Sequence, residues 1–261
     1  MIDSMFDFLK SLFHASVKKL ESSGKTDRGK VRNHNEDYFG ILKCRNIFLV
    51  ADGMGGHNAG EVASKITIET LIDFFHEHSL PKTFGRQQEI RQLLSRGFYY
   101  ANEKVMDKAG EDPQYKGMGC TLVAGIVDRN ILHTCHVGDA RCYLATADDM
   151  IQITNDHTSL ADFKKEFKDD PTFRNLPPRH VITRAIGYPF PDEPEYNYAR
   201  IATGNRLLLC SDGLWSLIDD MTIHKTITEA RTPEEAGNSL VEQANEAGGN
   251  DNITALVVFC E

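Results

Sequence analysis

The stretch TLVAGIVDRNILHTCHV, residues 121–137, decides how this chain is built. Two runs of apolar and β-branched residues, 121–127 and 131–137, are separated only by Asp128-Arg129-Asn130. So short a connection joins antiparallel strands, because parallel neighbours need a long crossover. Working outward, strand-like runs recur as IFLVA (47–51), RCYLA (141–145), RLLLCS (206–211) and ITALVVF (253–259). Helical patterns fill about 59–78, 87–109 and 233–247. The last is opened by Thr232-Pro233-Glu234-Glu235, a capping residue followed by proline in the first turn. Strands gather around hairpins and long helices come in pairs. The expected class is therefore α+β, a sandwich rather than a doubly wound parallel sheet.

The apolar runs end on carboxylates. Asp52 follows IFLVA and precedes Gly-Met-Gly-Gly, while Asp139 follows HTCHVG. Asp212 follows RLLLCS, Asp251 stands just before ITALVVF, and Glu36 and Asp37 precede YFGIL. A single Asp-Gly is usually a turn. Five carboxylate positions at the edges of buried runs ask for a compensating positive charge. Flanking glycines let backbone approach a ligand closely and leave carbonyls available. An oxygen-only donor set suits hard cations such as Mg²⁺ or Mn²⁺ and not zinc. The competing zinc reading, His133, Cys135 and His136 with Cys142, fails on spacing and on strand alternation, which puts His136 on the face opposite His133 and Cys135.

With 261 residues, 41% hydrophobic and 26% charged, the chain is long enough for a core that needs no covalent staples. The net charge of −9 argues against nucleic acid as the partner. Its six cysteines form no CxxC pair and lie mostly inside apolar runs, which points to a reducing, cytoplasmic setting. No apolar run reaches the ~18 residues of a membrane span. Asp3, Asp7 and Lys10 interrupt any signal-peptide core. Residues 2–20 carry apolar side chains at helical spacing, giving an amphipathic extension over 1–21 that docks on its own domain or contacts a partner or membrane surface. ESSGKTDRGK (21–30) reads as a linker, and the polar segment of about 157–181 as a surface flap.

The ordered motifs GKVRNHNED, VADGMGGHNAGEVAS, MGCTLVAG, HVGDARCYL, NDHTSL, HVITRAIG, LLLCSDGLW and GGNDNITALVV resemble the bacterial branch of the metal-dependent (PPM, protein phosphatase 2C-like) serine/threonine protein phosphatases. The resemblance covers about 22–261 and implies one domain of that kind, a four-layer αββα sandwich of two stacked antiparallel sheets flanked by helix pairs. It implies two Mn²⁺ or Mg²⁺ ions between the sheets at one end, with a third, weaker site. By the same resemblance Asp52 bridges the metals and the Gly53 carbonyl helps hold one. Asp212 and Asp251 ligate, Glu36 acts through water with Asp37 in support, Asp139 serves the third site, and Arg32 grips the substrate phosphate. The implied chemistry is in-line attack by activated water without a phosphoenzyme. Arginine's planar fork suits the phosphate.

The eukaryotic branch has a histidine after the Asp-Gly as proton donor; here that position is Met54, and the general acid is unassigned. His57 and His157 are read as groups that hydrogen-bond solvent or phosphate. Cys120 stands for a more usual threonine. Cys135 with Arg141 comes closest to the loop of a thiolate phosphatase, but its spacing is read as one residue too long and its aspartate belongs to the acidic set. A binding module without turnover would have lost a metal aspartate or Arg32, and all are present. The implied partners are phosphoserine and phosphothreonine proteins and a cognate kinase, for a monomeric enzyme.

Overall fold

In the computed structural model, residues 17–55, 59–78, 86–167, 176–178 and 181–261 are described. The first sheet joins β1 (Leu20–Asp27), β11 (Ile253–Cys260), β10 (Arg206–Cys210), β7 (Arg141–Ala145) and β8 (Met150–Gln152) in that order. The second runs β2 (Asp37–Leu42), β3 (Ile47–Met54), β5 (Leu122–Asp128), β6 (Ile131–Val137) and β9 (Glu195–Arg200), with β4 (Gly119–Cys120) against β3. Every strand pair is antiparallel. Helices α1 (Ala59–Glu77) and α2 (Arg86–Glu111) cover the second sheet, and α5 (Asp220–Glu229) and α6 (Pro233–Glu246) the first. A nine-residue α3 (Ser159–Phe167) and a single turn, α4 (Asp212–Trp215), complete the helices. The result is the expected αββα sandwich. No helix among the described residues is long and apolar enough to cross a membrane.

Both faces of each sheet are covered, which explains why the strands read as continuous apolar runs. Along β3, Ile47, Leu49 and Ala51 face the α1–α2 layer, while Phe48 and Val50 meet Leu207, Leu209, Leu256 and Val258 of the other sheet. Truncating one such leucine, Leu209→Ala for example, removes about 3 kcal/mol of transfer and cavity energy. The hairpin at 121–137 is as expected, with Asp128 paired to Ile131 and Arg129 at φ 54° in the turn. At the start of α6 the Thr232 hydroxyl accepts from the Glu235 N–H at 3.1 Å and Glu235 accepts from the Arg231 N–H at 2.9 Å, capping both ways.

The linker expected at 21–30 is instead mostly strand β1, registered along β11 from Leu20↔Cys260 to Asp27↔Ile253. Its polar residues are held by backbone pairing, and Gly24 leaves the space that the Phe39 ring fills. The domain therefore begins at Leu20 or earlier, and the N-terminal helix cannot extend to residue 20. Residues 1–16 of that extension lie outside the described residues. The flap contains α3, and its base is closed by a bridge between Thr158 and Ile182.

Candidate metal centre

Strand register gathers the carboxylates at one end of both sheets. Asp37 opens β2 directly opposite Asp52 near the end of β3. Asp212 and Asp251 flank β10 and β11 at the end where Cys210 pairs with Ala255. Asp139 sits in the turn between β6 and β7, and Arg141 pairs with Cys210 beside it. Asp37 and Asp139 are buried. At Gly53 the backbone must pass between two carbonyls. Its N–H donates to the Glu36 carbonyl at 3.0 Å, and a Cβ would overlap the Gly60 and Glu36 carbonyl oxygens. No residue but glycine fits there without moving the strand end.

These carboxylates lack sufficient countercharge. Burial, then repulsion from Asp37, Asp212, Asp139 and Asp251, pushes Asp52 well above the carboxylate range. Burial pushes Asp37 up to about 7 despite hydrogen bonds from Ser211 and Thr254. Asp139 is likewise pushed up to about 7, by burial and then by Asp212. Glu36 is raised by burial, with Arg32 opposing. Asp37 Oδ2 accepts from Ser211 Oγ and Thr254 Oγ1, each at 2.7 Å, yet its buried Oδ1 has no partner, nor does Glu36 Oε1. Desolvated oxygens without donors, facing like charges, fit divalent cations bound through oxygen. Arg32 reaches the group from the surface, donating to Asp251 Oδ2 at 2.7 Å.

The structure also brings in residues that sequence reasoning passed over. Ser211, Thr254 and Thr26 form a hydroxyl chain: Ser211 Oγ accepts the Thr254 N–H at 3.0 Å, and the Thr26 and Thr254 hydroxyls meet at 2.7 Å. The chain links both sheets through Asp37. Ser211 and Asn252 each adjoin a candidate ligand, Asp212 and Asp251, and that adjacency was the available signal.

Met54, in β3, pairs with Gly119. His57 lies outside the described residues. His157 does not hydrogen-bond solvent as expected: it is buried, its Nδ1 accepts the Gly138 N–H at 3.2 Å, and its Nε2 meets Glu195 at 3.3 Å. His136, His157 and Glu195 have ligand-type atoms within 4.8 Å of one another. The two rings stack at 4.5 Å and 11°, so their in-plane lone pairs cannot converge on one ion. His136 Nε2 moreover faces the Asn155 carbonyl at 2.7 Å, a bond in which it must donate. This set braces the base of the flap beside a cavity of about 530 Å³ lined by Thr154, Asp156, His157, Arg184 and Glu195 among others.

The buried thiols are held in the protonated form. Cys135 and Arg141 do have the Cys-x5-Arg spacing, but both lie in strands rather than a phosphate-cradling loop. Burial raises the Cys135 thiol, and Arg141 is tied bidentately to Asp156 at 2.8 and 2.6 Å. Burial pushes Cys120 up to about 12, and its Sγ packs 3.2 Å from Thr67 Oγ1. His133 bonds the Tyr196 hydroxyl at 2.7 Å.

Comparison with known proteins agrees with this geometry. The family profile "Protein phosphatase 2C" matches residues 28–245. The chain is 35% identical over 245 residues to a serine/threonine phosphatase, stp, of Listeria innocua, covering 92% of this chain and 95% of that one. The crystal structure of the Mycobacterium tuberculosis serine/threonine phosphatase PstP/Ppp superposes with a TM-score of 0.81 at 33% identity, covering 93% of this chain and 99% of that one. A structure of the PstP catalytic domain in complex with two manganese ions gives 0.78 at 32% identity, covering 92% and 97%.

Proposed function

The chain belongs to the protein phosphatase 2C family as a metal-dependent serine/threonine protein phosphatase, and from that premise we propose how its residues divide the work. Asp52 and the Gly53 carbonyl, with Asp212 and Asp251, would hold divalent cations, and Glu36 would contribute through water. Asp139 would help to hold a further, weaker cation, and Asp37, held by Ser211 and Thr254, would support Asp52 from the neighbouring strand. Mn²⁺ or Mg²⁺ bound there would lower the pKa of a water nucleophile and neutralise charge growing on the phosphoryl oxygens. Arg32, with a half-exposed side chain, offers its remaining N–H groups to the phosphate and orients it for in-line attack. Met54 has no proton to give, and His157 is buried among its partners, so neither supplies the proton to the leaving alcohol.

The observation that carries this reading is the set of carboxylates raised by burial, and then by one another's charge, at one end of both sheets. It is tested by phosphate release from a phosphothreonine peptide with and without Mn²⁺, beside Asp52→Asn. Release that needs the metal and vanishes in the variant supports the assignment; no release from folded protein with any divalent ion overturns it.

The bacterial relatives and the mostly buried free cysteines support an enzyme that reverses a serine/threonine kinase in a bacterial cytoplasm. The apolar spacing in residues 2–13 supports a tether to a complex or membrane surface. Unchanged partners and localisation after deletion of residues 1–16 would remove that role.

A further inference from the structure

Residues 28–36, which carry Arg32 and Glu36, contain neither helix nor strand. Positioned catalytic loops need fixed points, and a loop's own backbone seldom supplies enough of them. Here several converge on one buried side chain. Asn252 Nδ2 donates to the Arg28 carbonyl at 2.9 Å and to the His34 carbonyl at 2.8 Å. Its Oδ1 accepts the Glu36 N–H at 2.8 Å. Both amide donors and the carbonyl acceptor are thus engaged by the same loop, at 4% exposure.

The placement of Asn252 gives these bonds a role in the reaction. It follows Asp251, whose carboxylate receives Arg32, and precedes β11, an interior strand of its sheet paired on both sides. Its bonds clamp the loop on both sides of Arg32, at Arg28 and at His34, and hold the backbone of Glu36 itself. One rigid strand end thereby sets the phosphate clamp and the Glu36 carboxyl in a common frame with Asp251. A second tie, from the Lys30 N–H to the Gly249 carbonyl at 2.8 Å, fixes the start of the loop but not the stretch from Arg32 to Glu36. Asn35 anchors its side chain elsewhere, to Thr26 Oγ1 at 2.9 Å.

We infer that Asn252 is a positioning residue that acts through Arg32 and Glu36, aligning the phosphate-binding loop with Asp251. This rests on the phosphatase reading, so the test has one arm that needs no turnover. In metal-free protein, Asn252→Ala should speed hydrogen exchange of the Glu36 amide, whose N–H it accepts, about tenfold, with the Lys30 and β11 amides unchanged. In the turnover arm, Asn252→Ala should raise KM for a phosphothreonine peptide about tenfold when Arg32 is present and less than about twofold in Arg32→Ala, because coupled residues are not additive. Asn252→Ser, too short to span the three partners, serves for both arms should the alanine variant not fold. Unchanged Glu36 exchange overturns the inference, as does an equal KM factor in both backgrounds, which would mark a merely structural residue. Should wild-type protein release no phosphate, the phosphatase reading fails while the exchange arm still decides whether Asn252 holds the loop.

Discussion

Asp156 and Glu195, at the base of the flap, meet cationic, imidazole or amide donors of this chain, whereas Asp37 meets two neutral hydroxyls and, with Asp52 and Asp139, sits among other carboxylates at one end of both sheets. Asp156 takes both arms of Arg141, whose guanidinium also lies 3.5 Å from the centre of the Trp215 ring. Glu195 accepts from His157, Asn155 and Asn197, and these bonds hold its carboxyl well below the usual range. The strand-end aspartates are pushed the other way by burial and mutual repulsion. Folding alone would not build such a cluster, because burying unpaired like charges destabilises the native state. A self-sufficient network braces structure. A cluster short of positive charge marks where an external cation is expected to supply it.

The largest test of this contrast is Asp212→Asn, which should cut phosphopeptide hydrolysis by about 10³-fold while circular dichroism stays native. Full activity would remove Asp212 from the centre. Next in size, Arg141→Ala strands Asp156 and should lower stability by about 3 kcal/mol in urea unfolding. Asp52→Asn in metal-free protein should instead raise the melting temperature, since it relieves repulsion. Equal destabilisation by the two variants would erase the distinction between the regions.

The pH dependence sharpens it further. Asp37 and Asp139 titrate near 3.8 when unfolded and at about 7 when folded, so between these values only the folded chain keeps their protons. Metal-free stability should therefore be greatest near pH 4, fall as pH rises to about 7, and level above it. The melting temperature of the metal-free protein is expected to fall across that window. Added Mn²⁺ should stabilise more at pH 8 than at pH 5, because it competes with those protons. A flat metal-free profile would mean that the carboxylates are not crowded. The smallest effect is that of Arg32→Ala, about tenfold in KM with a lesser change in kcat, measured by steady-state kinetics.

How much was legible varied with burial. Strands 131–137 and 141–145 have the limits read from the sequence, because residues covered on both faces form unbroken apolar runs. Strand β1, with Ser22, Ser23 and Gly24, looks like a linker because its pairing partner, β11, lies more than two hundred residues away. The half-exposed β9, EYNYAR, has no periodic signal and becomes a strand only by pairing with β6. The aspartates were visible because each ends or adjoins an apolar run, and polar residues there need a reason. Ser211 and Thr254 were not, since each meets Asp37 across 174 and 217 residues of chain.

The sequence by itself determined the α+β class, the starts of α1, α2 and α6, the oxygen-rich donor set and the family, because these rest on strong local pattern and on residue chemistry that folding does not alter. Helices α3 and α5 were not legible in it. Only the tertiary structure decided that the carboxylates share one end of two sheets, that His157 braces the flap rather than facing solvent, and that Asn252 holds the Arg32 loop. The reason is physical. Desolvation and mutual repulsion depend on which groups meet in space, and strand register, a long-range property, sets those meetings.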